Sequence, residues 1–379
     1  MRFVEYIIGM LGLLLLANFA SAQQKLVFDG QLSGFGNYSP DSKFDVMLGG
    51  RYIPELNYNI PLDSAKSLDF EASVNVFGSV AFNPFFESKS NGNVQAYRIW
   101  ARYSGKQYEI RLGLQKIDFG SATILRPLQW FNQIDPRDPL KLTNGVYAAL
   151  GRYYFLNNAN IWLWMLYGNE KTRGYDAVET NKDIPEFGGR FQYPVPKGEL
   201  AVSFHHRTAD ASSLFGENNF NRIPEDRFSI DGKWDVKVGL WFEAVHIHKY
   251  KNLGMLNNQA LLNLGMDYTF GIGSGLNVVV EHMLMTNDNK AFGFENSANI
   301  TASTVSYPIT MFSNISAVLY YSWATEDISF FLNYERQFRK TTAYIMLYNN
   351  PDTSQAIQQN ELVNTFPGPG VRVMWVFNY

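Results

Sequence analysis

From Leu26 to Tyr379 one repeating feature dominates the chain, a two-residue alternation of apolar and polar side chains. Leu68, Phe70, Ala72, Val74 and Val76 alternate with Asp69, Glu71, Ser73 and Asn75. Tyr108, Ile110, Leu112 and Leu114 alternate with Glu109, Arg111, Gly113 and Gln115, and Ala260, Leu262, Leu264, Met266 and Tyr268 with Leu261, Asn263, Gly265 and Asp267. Successive side chains of a strand point to opposite faces, so this period describes strands with one apolar and one mixed face. Further runs lie near 26–35, 44–60, 94–103, 146–156, 161–167, 187–195, 200–207, 227–234, 238–247, 275–285, 300–323, 328–338, 341–348 and 370–379. No segment has the 3.6-residue period and capping residues of an amphipathic helix. The expected class is all-β.

The connections between these runs alternate in length. Short ones include 104–106, 157–160, 196–198, 235–237 and 271–275; between them fall 82–93, 116–145, 168–186, 208–225, 249–257, 286–298 and 349–368. Short turns on one side and long loops on the other describe a closed antiparallel transmembrane β-barrel of the bacterial outer membrane. The same rule fixes the count. Seventeen runs would leave the termini on opposite sides, whereas dividing 300–323 at Ser313-Asn314 into 300–312 and 315–323 gives eighteen strands, with sixteen as the alternative. A strand starting near Leu26 leaves no room for a plug domain.

Composition agrees. Aromatic residues reach 16% and charged residues only 18%, against roughly 25% in soluble domains, which excludes disorder. With 35 acidic and 32 basic residues no nucleic-acid footprint exists, and the absence of Cys removes disulfides, thiolate metal sites and a Cys nucleophile. Residues 1–22 read as a cleaved signal peptide, with Arg2, an apolar stretch from Ile7 to Ala17 and the small-residue site Ala20-Ser21-Ala22. The barrel then occupies 23–379. Its last strand places Val371, Val373, Trp375, Phe377 and Tyr379 on one face and ends on the aromatic residue. This resembles the terminal signal that the barrel-assembly machinery recognises, assigning that role to Trp375, Phe377 and Tyr379.

In such a barrel the apolar set meets lipid and lipopolysaccharide, and the alternate set faces the lumen. With Gly105-Lys106 as a turn, Tyr103 is expected opposite Tyr108, Arg102 opposite Glu109 and Trp100 opposite Arg111. Arg98, Arg102 and Arg111 then form a basic ladder on the lumen wall, suited to orienting polar solutes; the bland alternative is that they are tied to acids and only stiffen the wall. The loop 116–145 carries Leu128, Trp130 and Phe131, costly to expose, stiffened by Pro127, Pro136 and Pro139, so it is expected to fold into the lumen or across the mouth. Asp135, Arg137 and Asp138 would supply charge at a constriction.

Residues 112–120 (Leu-Gly-Leu-Gln-Lys-Ile-Asp-Phe-Gly), Arg126-Pro127-Leu128 and Phe131-Asn132-Gln133-Ile134-Asp135-Pro136 resemble a motif of porin-like outer-membrane barrels. That motif is a strand ending in G-x-Q, an aromatic-Gly pair, then P-x-x-x-F-N-P-x-D-P; Gln133 stands where the family has Pro. The high Asn, Tyr and Phe content also resembles Bacteroidetes-type outer-membrane proteins. The resemblance implies a solute channel, and for some relatives a part in polysaccharide handling.

Passive or weakly selective passage of small hydrophilic solutes is therefore the expected function, with no cofactor and with homo-oligomerisation open. Two alternatives stand beside it, a closed barrel serving as an assembly partner in surface polysaccharide handling and an outer-membrane hydrolase. For the last, His246 and His248 share the outward parity of Leu240, Phe242 and Ala244, while His205 faces the lumen with Ser203 and Arg207 and lacks an acidic partner in its own strand. No G-x-S-x-G, H-E-x-x-H or P-loop is present.

Overall fold

A computed structural model describes residues 25–83, 87–215, 220–350 and 368–379. The expected signal segment 1–22 lies outside the described residues. Eighteen strands form the wall: β1 (Lys25–Tyr38), β2 (Val46–Pro61), β3 (Ser67–Phe82), β4 (Ser88–Ser104), β5 (Tyr108–Gln115), β6 (Val146–Tyr154), β7 (Asn160–Leu166), β8 (Glu186–Val195), β9 (Gly198–Asp210), β10 (Ile223–Asp235), β11 (Gly239–Lys249), β12 (Asn258–Phe270), β13 (Leu276–Asp288), β14 (Ser297–Thr310), β15 (Ser313–Ser322), β16 (Asp327–Gln337), β17 (Thr341–Asn350) and β18 (Gly368–Asn378). Each pairs antiparallel with the next, and a two-residue ladder, Glu179–Thr180, adds to the end of β9. The sheet closes where β18 meets β1, from Gln31↔Asn378 to Tyr38↔Val371. Gly30 and Tyr379 exchange backbone hydrogen bonds of 3.3 and 3.2 Å at the end of this seam.

The barrel and its eighteen strands are as the alternation implies; 300–323 is divided, but its turn is Met311-Phe312 and not the expected Ser313-Asn314, both of which pair within β15. The long connection expected at 82–93 is shorter, since β3 and β4 continue to Phe82 and from Ser88. Ser88–Val94 are exposed on both faces. Backbone pairing there outlasts the apolar alternation because beyond the apolar belt neither face has to be apolar.

Outward side chains are large and apolar, among them Phe28, Leu112, Leu163, Phe228, Leu264, Val373 and Trp375. Such a face suits contact with lipid, where a basic residue at the bilayer midplane would cost about 2–4 kcal/mol. Among the described residues, inward positions hold two large apolar clusters beside a smaller one around Ala209 and Ile223. One joins the 117–131 segment to β6–β7 and, across the lumen, to Val245, Leu261, Met283 and Ile300 of β11–β14. The other gathers Phe35, Met47, Phe331, Met346 and Met374 around the closing seam.

Candidate functional site

The lumen wall of β3–β6 holds the basic residues singled out from sequence, in a different register from the one expected. The β4–β5 turn is centred on Lys106-Gln107, one residue beyond the expected Gly105-Lys106, and is closed by the Gly105 N–H donating to the Tyr108 carbonyl at 2.8 Å. Moving the turn one residue along shifts the register by two, which keeps the faces and changes the partners: Ser104 lies opposite Glu109, Arg102 opposite Arg111 and Trp100 opposite Gly113. The expected Arg102–Glu109 and Trp100–Arg111 pairs are thus incorrect. Like charges directly opposed destabilise a sheet, and each is met by an acid elsewhere. Arg102 Nε lies 3.1 Å from Asp69 on β3, and Glu109 accepts from Arg152 of β6 at 2.8 Å with Arg111 at 3.9 Å. Arg111 and Arg152 also lie 4.7 and 3.8 Å from the ring centroids of Trp100 and Trp162. The side chains of Arg102, Arg111, Arg152 and Glu109 keep 13–33% exposure, so this ladder still meets lumen water. Arg98 does not: it is buried and donates to the Thr143 carbonyl at 2.8 Å, fastening the end of the 116–145 loop.

That loop packs against inward faces of the barrel. Ile117, Ile124, Leu125, Leu128, Trp130 and Phe131 are at most 2% exposed, each side chain contributing about 1.5–3 kcal/mol relative to exposure. Phe119 stacks on Trp164 of β7 at 5.6 Å and meets Trp130 edge-on at 5.7 Å. The far wall is reached through two carboxylates. Glu243 of β11 accepts from the N–H groups of Ser121 and Ala122 at 2.6 and 2.7 Å and of Leu128 at 3.2 Å. Glu281 of β13 accepts from those of Thr123 and Leu125 at 2.6 Å, from Ile124 at 3.2 Å and from the Trp241 indole at 3.2 Å. Gly120, at φ 98°, permits the approach, because a Cβ there would lie 2.4 Å from Glu243 Oε1.

Farther along, Asp135-Pro136-Arg137 and Asp138-Pro139-Leu140 repeat one device. Asp135 accepts from the Arg137 N–H at 2.8 Å and Asp138 from the Leu140 N–H at 3.0 Å, with the intervening Pro fixing φ. Arg137 also grips Asp135 through Nε and Nη2, at 3.0 and 2.8 Å. These three residues therefore make turns, and they sit against β1, β2 and β16–β18 rather than completing one ring with Arg102 and Arg111. Burial pushes the Asp138 carboxyl above its ordinary value, against the hydrogen bonds from Leu140 and Leu142. Burial would likewise raise Asp118, but Arg126 and Lys116 outweigh it and hold that carboxyl below its ordinary value. At Gln133, where the resembled motif has Pro, the N–H donates to Thr143 Oγ1 at 2.8 Å, a bond that Pro cannot make.

Sequence reading missed the anchoring role of Glu243 and Glu281. A signal existed: both are inward acids whose cross-strand neighbours, Asp231 and Asn263 for one, Gly265 and Ala302 for the other, offer no base. His205 does have an acid, on the adjacent strand, with Glu186 Oε2 3.1 Å from Nε2 while Nδ1 accepts from the Trp164 indole at 3.2 Å. Around it Arg173, Arg207 and Arg227 pair with Glu186, Asp176 and Glu225, tying the 167–185 connection to the wall. His246 points outward, stacked on Phe292 at 4.6 Å.

In β18 Trp375 is exposed outward, and Tyr379 bonds Tyr52 of β2 through their hydroxyls at 2.7 Å and stacks on Phe377 at 5.9 Å.

No family model matches the chain, and no curated protein matches it in sequence. Solved structures do match in fold. The outer-membrane channel DcaP of Acinetobacter baumannii superposes with a TM-score of 0.52 over 96% of this chain and 100% of its own, at 11% identity. The anion-selective porin of Comamonas acidovorans gives 0.50 over 94% and 100% at 10% identity, and Salmonella typhi OmpF 0.50 over 94% and 98% at 9% identity. The chain has the closed-barrel fold of these outer-membrane porins and channels.

Proposed function

We propose that the chain is an outer-membrane channel for small hydrophilic solutes, exported through the periplasm and inserted with its long loops outside the cell. The observation that carries this reading is the lumen wall of β3–β6, where Asp69, Arg102, Glu109, Arg111 and Arg152 keep contact with water beside a loop fixed to the opposite wall. Charge lining a wet passage of restricted width is how pores discriminate among solutes. Trp375, Phe377 and Tyr379 are proposed as the assembly signal. The trimer form in which Vibrio cholerae OmpT is described, a structure with a TM-score of 0.50 at 10% identity over 94% of this chain and 99% of its own, supports testing for a homo-oligomer.

Planar-bilayer recording of the refolded mature protein under a salt gradient is the test. Stepwise current is expected, and Arg102→Ala with Arg111→Ala should move the reversal potential toward cation preference. An unchanged potential removes the ladder from the selectivity filter. The apolar cluster bridging β6–β7 and β11–β14 favours a second reading, a closed barrel acting in surface polysaccharide assembly, which predicts silence from a heat-modifiable, folded protein. A hydrolase finds little support, since His205 has 0% exposure and both its ring nitrogens are engaged.

A further inference from the structure

The outward face of β7–β13 is not evenly filled. A groove of about 880 Å³ runs along it, within the range of roughly 300–1,000 Å³ that small-ligand sites occupy. Its floor is low because Gly189, Ala244 and Ala260 stand among outward positions that carry Phe204, Phe228 and Leu262. The connection 289–296 roofs one end, where Phe292 lies over the His246 ring at 4.6 Å and Phe294 follows it. Phe292 and Phe294 remain 64% and 54% exposed, so the roof itself still lacks apolar cover. Beneath it the Nδ1 atom of His246 is buried without a partner.

Toward the long loops the same face changes character within one step of the register. Phe204, Phe228, His246 and Ala260 lie side by side across β9–β12, and two residues farther on the row is His206, Asp226, His248 and Asn258. Asp226 Oδ1 lies 2.6 Å from His206 Nδ1, and its Oδ2 accepts from the Tyr250 hydroxyl at 2.7 Å. His248 Nδ1 lies 2.7 Å from Asn258 Oδ1, and Asn258 Nδ2 donates to the carbonyls of Asp288 and Asn289, which fixes the way that amide points. A carboxylate and an amide oxygen only accept, so both Nδ1 atoms carry a proton, and a neutral imidazole then offers Nε2 as an acceptor. Among the described residues neither Nε2 has a partner, and His206 and Asp226 keep part of their side chains exposed. Three neighbouring strands thus present two ring nitrogens and a carboxylate, all acceptors, at the end of an apolar groove.

We propose that groove and row together bind one glycerophospholipid with a primary ammonium headgroup. An acyl chain lies over Ala244 and Ala260 beneath Phe292 and Phe294, and the ammonium donates to Asp226 and to the Nε2 atoms of His206 and His248. The pattern of an apolar groove ending in a polar row fits an amphiphile, and the polar end selects among headgroups. A primary ammonium brings three N–H donors and a charge opposite to the carboxylate, whereas a quaternary ammonium has no N–H to give. The site rests on the outward face meeting lipid and requires neither conduction nor the channel reading.

The test is native mass spectrometry of the folded protein, released from detergent micelles titrated with phosphatidylethanolamine, phosphatidylcholine or phosphatidylglycerol of one acyl composition. One phosphatidylethanolamine per chain should be retained. Its half-saturating concentration should lie about tenfold or more below that of phosphatidylcholine, as loss of hydrogen bonds to a charged group implies. Asp226→Asn should shrink that preference, and Ala244→Phe, which raises the floor and leaves the face apolar, should lower retention of both lipids. Heat-modifiable mobility on gels verifies that each variant is folded. Equal retention of phosphatidylethanolamine and phosphatidylcholine overturns the proposal, because acyl contact alone would then suffice. Preference for phosphatidylglycerol overturns it in favour of an anionic headgroup, and oligomers that carry no lipid would give the groove to a second copy of the chain. Retention unchanged in both folded variants places the lipid elsewhere and overturns it too. None of these outcomes depends on current across a bilayer, so failure of the channel reading is told apart from failure of the site.

Discussion

At the scale of single residues, Glu281 shows how one carboxylate orders a segment of loop. It faces the N–H groups of three consecutive residues, 123–125, and the Trp241 indole, and it has 0% exposure. Glu281→Gln turns one acceptor into a donor aimed at donors and removes the charge, an expected loss of about 2–4 kcal/mol measured as a lowered denaturant midpoint. Gly120→Ala attacks the same anchor by sterics, because its φ of 98° and the closeness of Glu243 leave no space for a methyl group; about 1–3 kcal/mol is expected. Asp118 brings a pH dependence. Its folded value lies below the ordinary carboxylate value, so its stabilisation is complete above that value, near pH 4, and is lost as pH falls through the lower folded one. Hydrogen exchange in 117–128 should therefore accelerate below about pH 4 in the natural chain, and Asp118→Asn should already exchange fast at neutral pH. Little of this was legible beforehand. That Glu243 and Glu281 face inward follows from alternation, but their partners are backbone amides, which carry no mark in the letters of the loop.

At the scale of elements, strands were legible and their pairing partly so. Parity alone assigns Arg102 and Arg111 to the lumen and Ile110 and Leu112 to lipid, and the observed exposures agree. Register needs the turn position as well, and a turn placed one residue later, on Lys106-Gln107, moved every partner of that hairpin by two residues without moving any side chain to the other face. Opposite charges within one hairpin look like natural partners, yet a wall strand has two neighbours, and Arg102 takes its acid from β3 while Glu109 takes its base from β6. The two Asp-Pro repeats in the loop were read as charge at a constriction, whereas the same letters encode side-chain-capped turns. His205 illustrates the same limit, since its acid lies on the adjacent strand.

At the scale of the whole molecule, the last strand of the chain lies beside the first, so no part of the wall is closed until the final residues are in place. Tyr379 sits at that seam with its backbone bonded to Gly30 and its hydroxyl to Tyr52. Tyr379→Ala should cost about 1–2 kcal/mol of barrel stability in a denaturant titration, the scale of one or two hydrogen bonds. It should also lower the fraction of heat-modifiable barrel recovered from membranes by more than that loss alone implies, if the terminal aromatic residue is also read during assembly. The attachment of the loop has a wider consequence. Glu243 and Glu281 grip this stretch mainly through peptide N–H groups, the Thr123 hydroxyl adding one side-chain bond to Glu281 at 3.1 Å, so what Ser121 carries is largely free while its backbone path is set. That position is a natural place for a saturation library: new chemistry could be introduced across the passage, with the scaffold that presents it left unaltered.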